Sequence, residues 1–131
     1  MYQKDKRINI GGISIDYRDD GDILGIVEIY ALNVYHTEMI KQGDTVLDLG
    51  AGIGDFSVCA SKRVGESGRV IAVEPNKNDF EFLLKNIKMN GCENVVPINC
   101  GVAVKSGILK GEFKGQTFDF QAMTLREILH V

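Results

Sequence analysis

Tryptophan is absent from this 131-residue sequence, and proline occurs only twice, histidine twice and cysteine three times. So few prolines leave long stretches free to form regular elements, which excludes a proline-rich disordered chain. Cys59, Cys92 and Cys100 are odd in number, form no C-x-x-C pair and lie far from His36 and His130. A disulfide framework is thereby excluded, no metal-ligand spacing is present, and no metal is expected. The thiols read as reduced, small apolar fillers, because a catalytic thiolate would want a nearby base that the sequence does not show. No run of about 18 apolar residues is present. The polar start, Met1 to Arg7, is not followed by a signal-peptide core, so no membrane partner and a cytoplasmic location are expected. Charge bias is weak as well: 15 basic residues stand against 18 acidic ones, for a net charge of −3. The basic residues are scattered and form no stripe for phosphate backbones, so nucleic acid is not expected as a partner.

What is present is the composition of one soluble globular domain, 44% apolar and 25% charged. Ile8, Ile10, Ile13, Ile15 and Tyr17 alternate around Gly11-Gly12, which predicts a hairpin. Asp19 to Asp22 supply a turn and a helix cap, and the apolar stretch Ile23 to Ile40 reads as a helix ended by Gly43-Asp44. This hairpin and helix, residues 1–43, precede a core over 44–101.

Val46, Leu47 and Leu49 predict a short buried strand, from which Gly50 to Gly54 lead into a helix with Phe56, Cys59, Ala60 and Val64 on one face. Gly65 stops that helix. Arg69 to Glu74 form a second strand broken by Pro75, and Asn78 with Glu81 has capping-box spacing for a helix carrying Phe80, Leu83, Leu84 and Ile87. Asn90-Gly91 ends it, and Asn94 to Asn99 form a third strand whose Pro97 belongs at a sheet edge. This alternation predicts an α/β fold, a Rossmann-like parallel sheet with helices on both faces. Residues 102–131 add antiparallel strands, then a helix opened by the capping box of Thr124 and Glu127 and cut short after Leu129.

Chemistry concentrates in Asp48-Leu49-Gly50-Ala51-Gly52-Ile53-Gly54-Asp55. Glycines at a strand-to-helix turn allow close backbone approach, and the helix start favours an anion or nucleotide. The spacing is G-x-G-x-G, with Asp55 where the dinucleotide fingerprint has its third glycine, which points away from NAD. Glu74 ends the second strand about 20 residues past the loop, where a carboxylate accepts ribose hydroxyls. Pro75 and Asn76 would line the adenine side. A bland βα turn and a helix-capping Glu74 are the alternatives.

Val46 to Ser57, Val70 to Asn76, Lys85 to Gly91 and Thr124 to Leu129 together resemble the FkbM-type methyltransferases that use S-adenosyl-L-methionine, over residues 44–129. The resemblance implies O-methyl transfer to a hydroxyl of a sugar or other small molecule. It places the methionine moiety against Gly50, Ala51, Gly52, Asp55 and Phe56, the ribose at Glu74, and adenine-edge contacts at Asn99, Cys100 and Gly101. Asp48 would either bond the methionine ammonium or brace the loop.

The family's acceptor-binding strands and general base have no counterpart before Val131. The chain is therefore expected to be the cofactor-binding portion of an enzyme; the alternative is a non-catalytic S-adenosylmethionine-binding or assembly module. The implied strand order leaves the outer edge of Thr45 to Leu49 unpaired, which predicts a homo-oligomer.

Overall fold

The computed structural model describes residues 6–131; the first five residues of the expected N-terminal unit lie outside them. Eight strands and four α-helices follow in chain order: β1 Lys6–Ile10, β2 Ile13–Tyr17, α1 Asp20–Tyr30, β3 Thr45–Leu49, α2 Asp55–Val64 and β4 Arg69–Val73. They continue with α3 Lys77–Met89, β5 Val95–Ile98, β6 Gly101–Val102, β7 Gly107–Phe113, β8 Gln116–Met123 and α4 Leu125–Leu129.

The centre is a parallel sheet in the order β3-β4-β5, with Leu47 opposite Ile71 and Ala72 opposite Pro97. Successive side chains of a strand face opposite sides, and β4 shows the consequence. Val70 and Ala72 enter a core with Val58 and Ala60 of α2 and Leu83 and Ile87 of α3. Ile71 and Val73 pack instead with Cys100 and with Ile128 of α4. Helices thus cover both faces, as expected. Pro97 sits on the edge strand β5, where a missing N–H costs no ladder bond with a further strand.

The N-terminal hairpin pairs as predicted, with Ile8 opposite Ile15, and two amides on α3 dock it to the core. Asn90 accepts from the Ser14 amide at 3.0 Å and donates to its carbonyl at 2.7 Å. One turn earlier, Asn86 accepts from the Asp16 amide at 2.8 Å and donates to its carbonyl at 3.0 Å. Spaced i, i+4 on one helix face, these amides satisfy the backbone of the free edge of β2 as a neighbouring strand would. Asp16 itself is buried, and its carboxyl is held below the ordinary carboxylate range by the Arg7 guanidinium at 2.6 Å and by Lys85 at 3.1 Å.

Two sequence expectations are corrected. The helix expected from Ile23 to Ile40 ends at Tyr30. Asn33 takes a left-handed conformation, φ 49°, and its Oδ1 accepts from the Thr37 amide at 3.0 Å and the Thr37 hydroxyl at 2.9 Å. That side chain competes with the helical backbone and starts a separate 3-10 turn, Thr37–Met39. The cap of α3 is Asn76, not Asn78: its Oδ1 accepts from the amides of Asn78 and Asp79. The box of Thr124 and Glu127 forms as expected.

After the parallel sheet the chain makes a second, three-stranded sheet in the order β6-β8-β7, the last pair antiparallel. Neither β8 nor the hairpin lies beside β3, and among the described residues its outer edge pairs with no strand. No helix among them is long and apolar enough to cross a membrane.

Candidate functional site

The loop after β3 is anchored before it turns. The amides of Gly50 and Ala51 both donate to the Val73 carbonyl, at 2.8 and 2.9 Å, which fixes the loop against the end of β4. Gly50, Gly52 and Gly54 then take φ of 82°, 55° and 87°, a region that L side chains avoid. A Cβ at Gly50 or Gly52 would meet nothing within 4 Å, so open space lies over both. One at Gly54 would fall 2.6 Å from Cδ1 of Leu83, so that glycine serves the packing of α2 on α3.

Glu74, 6% exposed, is the hinge of the site. Its Oε2 accepts from the Gly52 amide at 2.8 Å and its Oε1 from the Asn76 amide at 2.7 Å. Asn99 Nδ2 donates to the Glu74 carbonyl at 2.8 Å. A carboxylate has about four acceptor positions, so these two amides do not exhaust its capacity. Burial pushes its carboxyl above the ordinary range, against the lowering effect of the two amides.

Two hollows lie beside the residues that bond Glu74, which itself lines neither. One, of about 590 Å³, is lined by Asp48, the loop from Leu49 to Ile53, Asp55, Phe56, and Asp22, Gly25, Ile29 and Tyr35 from the N-terminal region. The other, of about 300 Å³, is lined by Pro75, Asn76 and Asn99 together with Phe118, Phe120 and Gln121 of β8. Gly52 belongs to the first and Asn76 to the second, so the two amides that grip the carboxylate join the two hollows. A larger hollow of about 660 Å³, around Ser61, Gly65 and Asn94, involves none of the loop residues.

Asp48 is buried, accepts from the Ser57 hydroxyl at 2.6 Å, and so ties β3 to α2. Its side chain also lines the first hollow. Cys100 and Gly101, where adenine-edge contacts were expected, line neither hollow. Cys100 is buried in the core facing α4, and the face of Gly101 lies against the Phe120 ring, 2.3 Å from where a Cβ would stand. Within that expected run only Asn99 reaches the hollow. The reading from sequence missed Asp22, Gly25 and Ile29, whose i, i+3, i+7 spacing puts them on one face of α1. It missed Tyr35 and the β8 aromatics too.

A family model described as the TRM5/TYW2 methyltransferase domain matches residues 33–108, more than half of the chain, including the loop, Glu74 and Asn99. The chain belongs to this methyltransferase domain family. It is 38% identical over 61 residues to the tRNA (guanine(37)-N(1))-methyltransferase Trm5b of Pyrococcus abyssi, covering 47% of this chain and 18% of that protein. It is 37% identical over 58 residues to the tRNA(Phe) (4-demethylwyosine(37)-C(7)) aminocarboxypropyltransferase of Methanocaldococcus jannaschii, covering 44% of this chain and 23% of that one. Among solved structures, TYW2 of M. jannaschii in complex with AdoMet aligns with a TM-score of 0.54 and 25% identity, over 75% of this chain and 45% of that one.

These matches support S-adenosylmethionine as the cofactor and the broad expectation of a methyltransferase that uses it. They do not show the FkbM subdivision, nor do they support O-methyl transfer to a small molecule. The expectation of no nucleic-acid partner is overturned, because relatives of the matching family are tRNA-modifying enzymes. A weak charge bias over a chain spanning about a fifth of these relatives' length carries little weight: the phosphate-binding surface of such an enzyme need not lie in this segment.

Proposed function

We propose that the chain is the donor-binding part of an S-adenosylmethionine-dependent enzyme of the Trm5/TYW2 type, acting on tRNA. The observation that carries the binding reading is the Glu74 carboxylate gripped by the Gly52 and Asn76 amides between two hollows. An adenosyl ligand fits this layout. Its ribose hydroxyls match the remaining lone pairs of Glu74, its adenine the smaller hollow beside Asn99 and Phe118, and its amino-acid arm the larger one over Gly50 and Gly52.

S-adenosylmethionine bound there supplies an electrophilic carbon on a sulfonium. The protein's part is placement: Glu74 fixes the ribose, the glycines let the arm lie against backbone, and Asp48 with Ser57 keeps strand and helix in register under it. The tRNA acceptor rests on the family match and on the relatives' names.

Isothermal titration of the 131-residue chain with S-adenosylmethionine and with NAD tests the donor. Saturable binding of the first alone is expected, and binding of NAD alone overturns the reading. Transfer is tested by incubating the chain, and any longer polypeptide that contains it, with tRNA and donor labelled either in the methyl group or in the carboxyl group. Methyl label on tRNA marks methylation, and carboxyl label marks the aminocarboxypropyl transfer named for the M. jannaschii relative. Label on neither overturns the acceptor.

A further inference from the structure

The hollow over the glycine loop is acidic on every side that carries charge. Asp22, Asp48 and Asp55 line it, and no Lys, Arg or His does. Two of the three are already answered. Asp22 is paired with Arg18 through contacts of 2.9 to 3.2 Å, and Asp48 takes the Ser57 hydroxyl. Asp55, the first residue of α2, receives backbone amides alone, that of its neighbour Phe56 at 3.0 Å and its own, and no basic side chain among the described residues forms an ion pair with it.

This half-buried position is made by a neighbouring helix. Tyr30 of α1 donates its hydroxyl to the Asp55 carbonyl at 2.9 Å. Gly25, five residues earlier, leaves the gap into which the carboxylate turns, since a Cβ there would stand 2.9 Å from Asp55 Oδ2. Protein groups that leave a carboxylate half-buried and without a cation create a place where a ligand cation is favoured.

We infer that Asp55 reads the positive charge of the donor, favouring the sulfonium over the neutral thioether that remains after transfer. The inference rests on the donor-binding reading above. When a nucleophile takes the carbon, the C–S bonding pair stays on sulfur and the positive charge is lost. A site tuned to that charge releases S-adenosylhomocysteine more readily than it holds S-adenosylmethionine, which favours turnover.

The titratable groups around Asp55 are Asp22 and Tyr30 on α1, Tyr35 after it, Asp48 on β3 and Cys59 on α2. Burial first, then the charges of Asp48 and Asp22, push the Asp55 carboxyl up to about 6. Its charge is therefore largely present at pH 8 and largely absent at pH 5, with a donor whose sulfonium is charged at both.

Calorimetric titration of the parent and of Asp55→Asn with S-adenosylmethionine and S-adenosylhomocysteine, at pH 8 and pH 5, decides it. At pH 8 the parent is expected to prefer the sulfonium, and D55N to lower that preference about tenfold, the effect of one near charge, with S-adenosylhomocysteine affinity nearly unchanged. The parent alone is expected to lose the same preference at pH 5, which keeps the test open if D55N does not fold. Equal weakening of both ligands by D55N, or a preference unaltered by pH, overturns the inference while leaving donor binding intact. Failure of the parent to bind either ligand overturns the donor-binding reading itself, and this inference with it.

Discussion

Asn86 Nδ2 donates to the carbonyl of Ile53 at 2.8 Å, so a fully buried amide of α3 holds the glycine loop from beneath. The same side chain closes two bonds to the Asp16 backbone. One residue therefore couples three segments, the hairpin, α3 and the loop, that only the fold brings together. Replacing it with Ala leaves the Asp16 amide and two carbonyls unpaired inside the protein. Asn86→Ala is expected to cost about 2 to 4 kcal/mol in urea unfolding. A loss below about 0.5 kcal/mol would show that water takes over the three bonds.

Glu74 makes a sharper test because its two substitutions fail for different reasons. Glu74→Ala removes the group assigned to the ribose, and S-adenosylmethionine binding should weaken by about 1 to 3 kcal/mol. Glu74→Gln keeps the shape, but both gripping groups are amide N–H donors. A carboxamide offers an acceptor to one and an NH₂ to the other, so one donor faces a donor. Glu74→Gln is thus expected to lower both binding and the thermal midpoint, measured by calorimetric titration and by melting. Parent-like behaviour of the Gln variant would mean that the carboxylate does not bridge the two amides in solution.

Much of this layout was legible in the sequence. The G-x-G-x-G turn, the Glu74 strand end and the alternation from Thr45 to Ile98 depend on local period and turn chemistry, which a sequence displays directly. The end of α1 was not legible, because the apolar pattern continues past Tyr30 and only the Asn33 side chain, bonding to Thr37, decides against the helix. The contributions of Gly25 and Tyr30 were also hidden, since they arise from the packing of α1 on the start of α2, Gly25 and Asp55 being 30 positions apart. The place of Cys100 was hidden too: the resemblance implied a ligand contact, and its side chain fills the face covered by α4.

The two end glycines of the loop should separate binding from stability. Gly50→Ala puts a methyl group into open space at φ 82°, so it should cost about 1 to 2 kcal/mol of backbone strain and, in addition, block the close approach of a ligand. Gly54→Ala adds to similar strain a Cβ 2.6 Å from Leu83 Cδ1, an overlap worth about 1 to 3 kcal/mol more. Chemical unfolding should therefore rank Gly54→Ala as the less stable variant. Titration of folded protein should find Gly50→Ala defective in binding out of proportion to its stability. The reverse ranking would remove the assignment of Gly54 to packing and Gly50 to the ligand.

The pH dependence of folding follows from two aspartates with opposite signs. Asp55 has its folded value, about 6, above the ordinary 3.8, so its contribution to stability is fully present below about 3.8 and is lost as pH rises through about 6. Asp16, held down chiefly by Arg7, contributes stability above the ordinary carboxylate value and loses it as pH falls through its lowered one. Asp55→Asn should accordingly be more stable than the parent at pH 8 and nearly equal to it at pH 4. Asp16→Asn should be less stable than the parent at pH 8, with a deficit that shrinks in strong acid. The gain from D55N at pH 8 would be a cost that the ligand-free protein carries for its donor site, a trade of stability against function. Thermal melts of the three proteins in the absence of ligand, from about pH 2 to pH 8, test both signs together. A pH-independent gap between parent and Asp55→Asn would show that the Asp55 carboxylate is solvated in the free protein and carries no such cost.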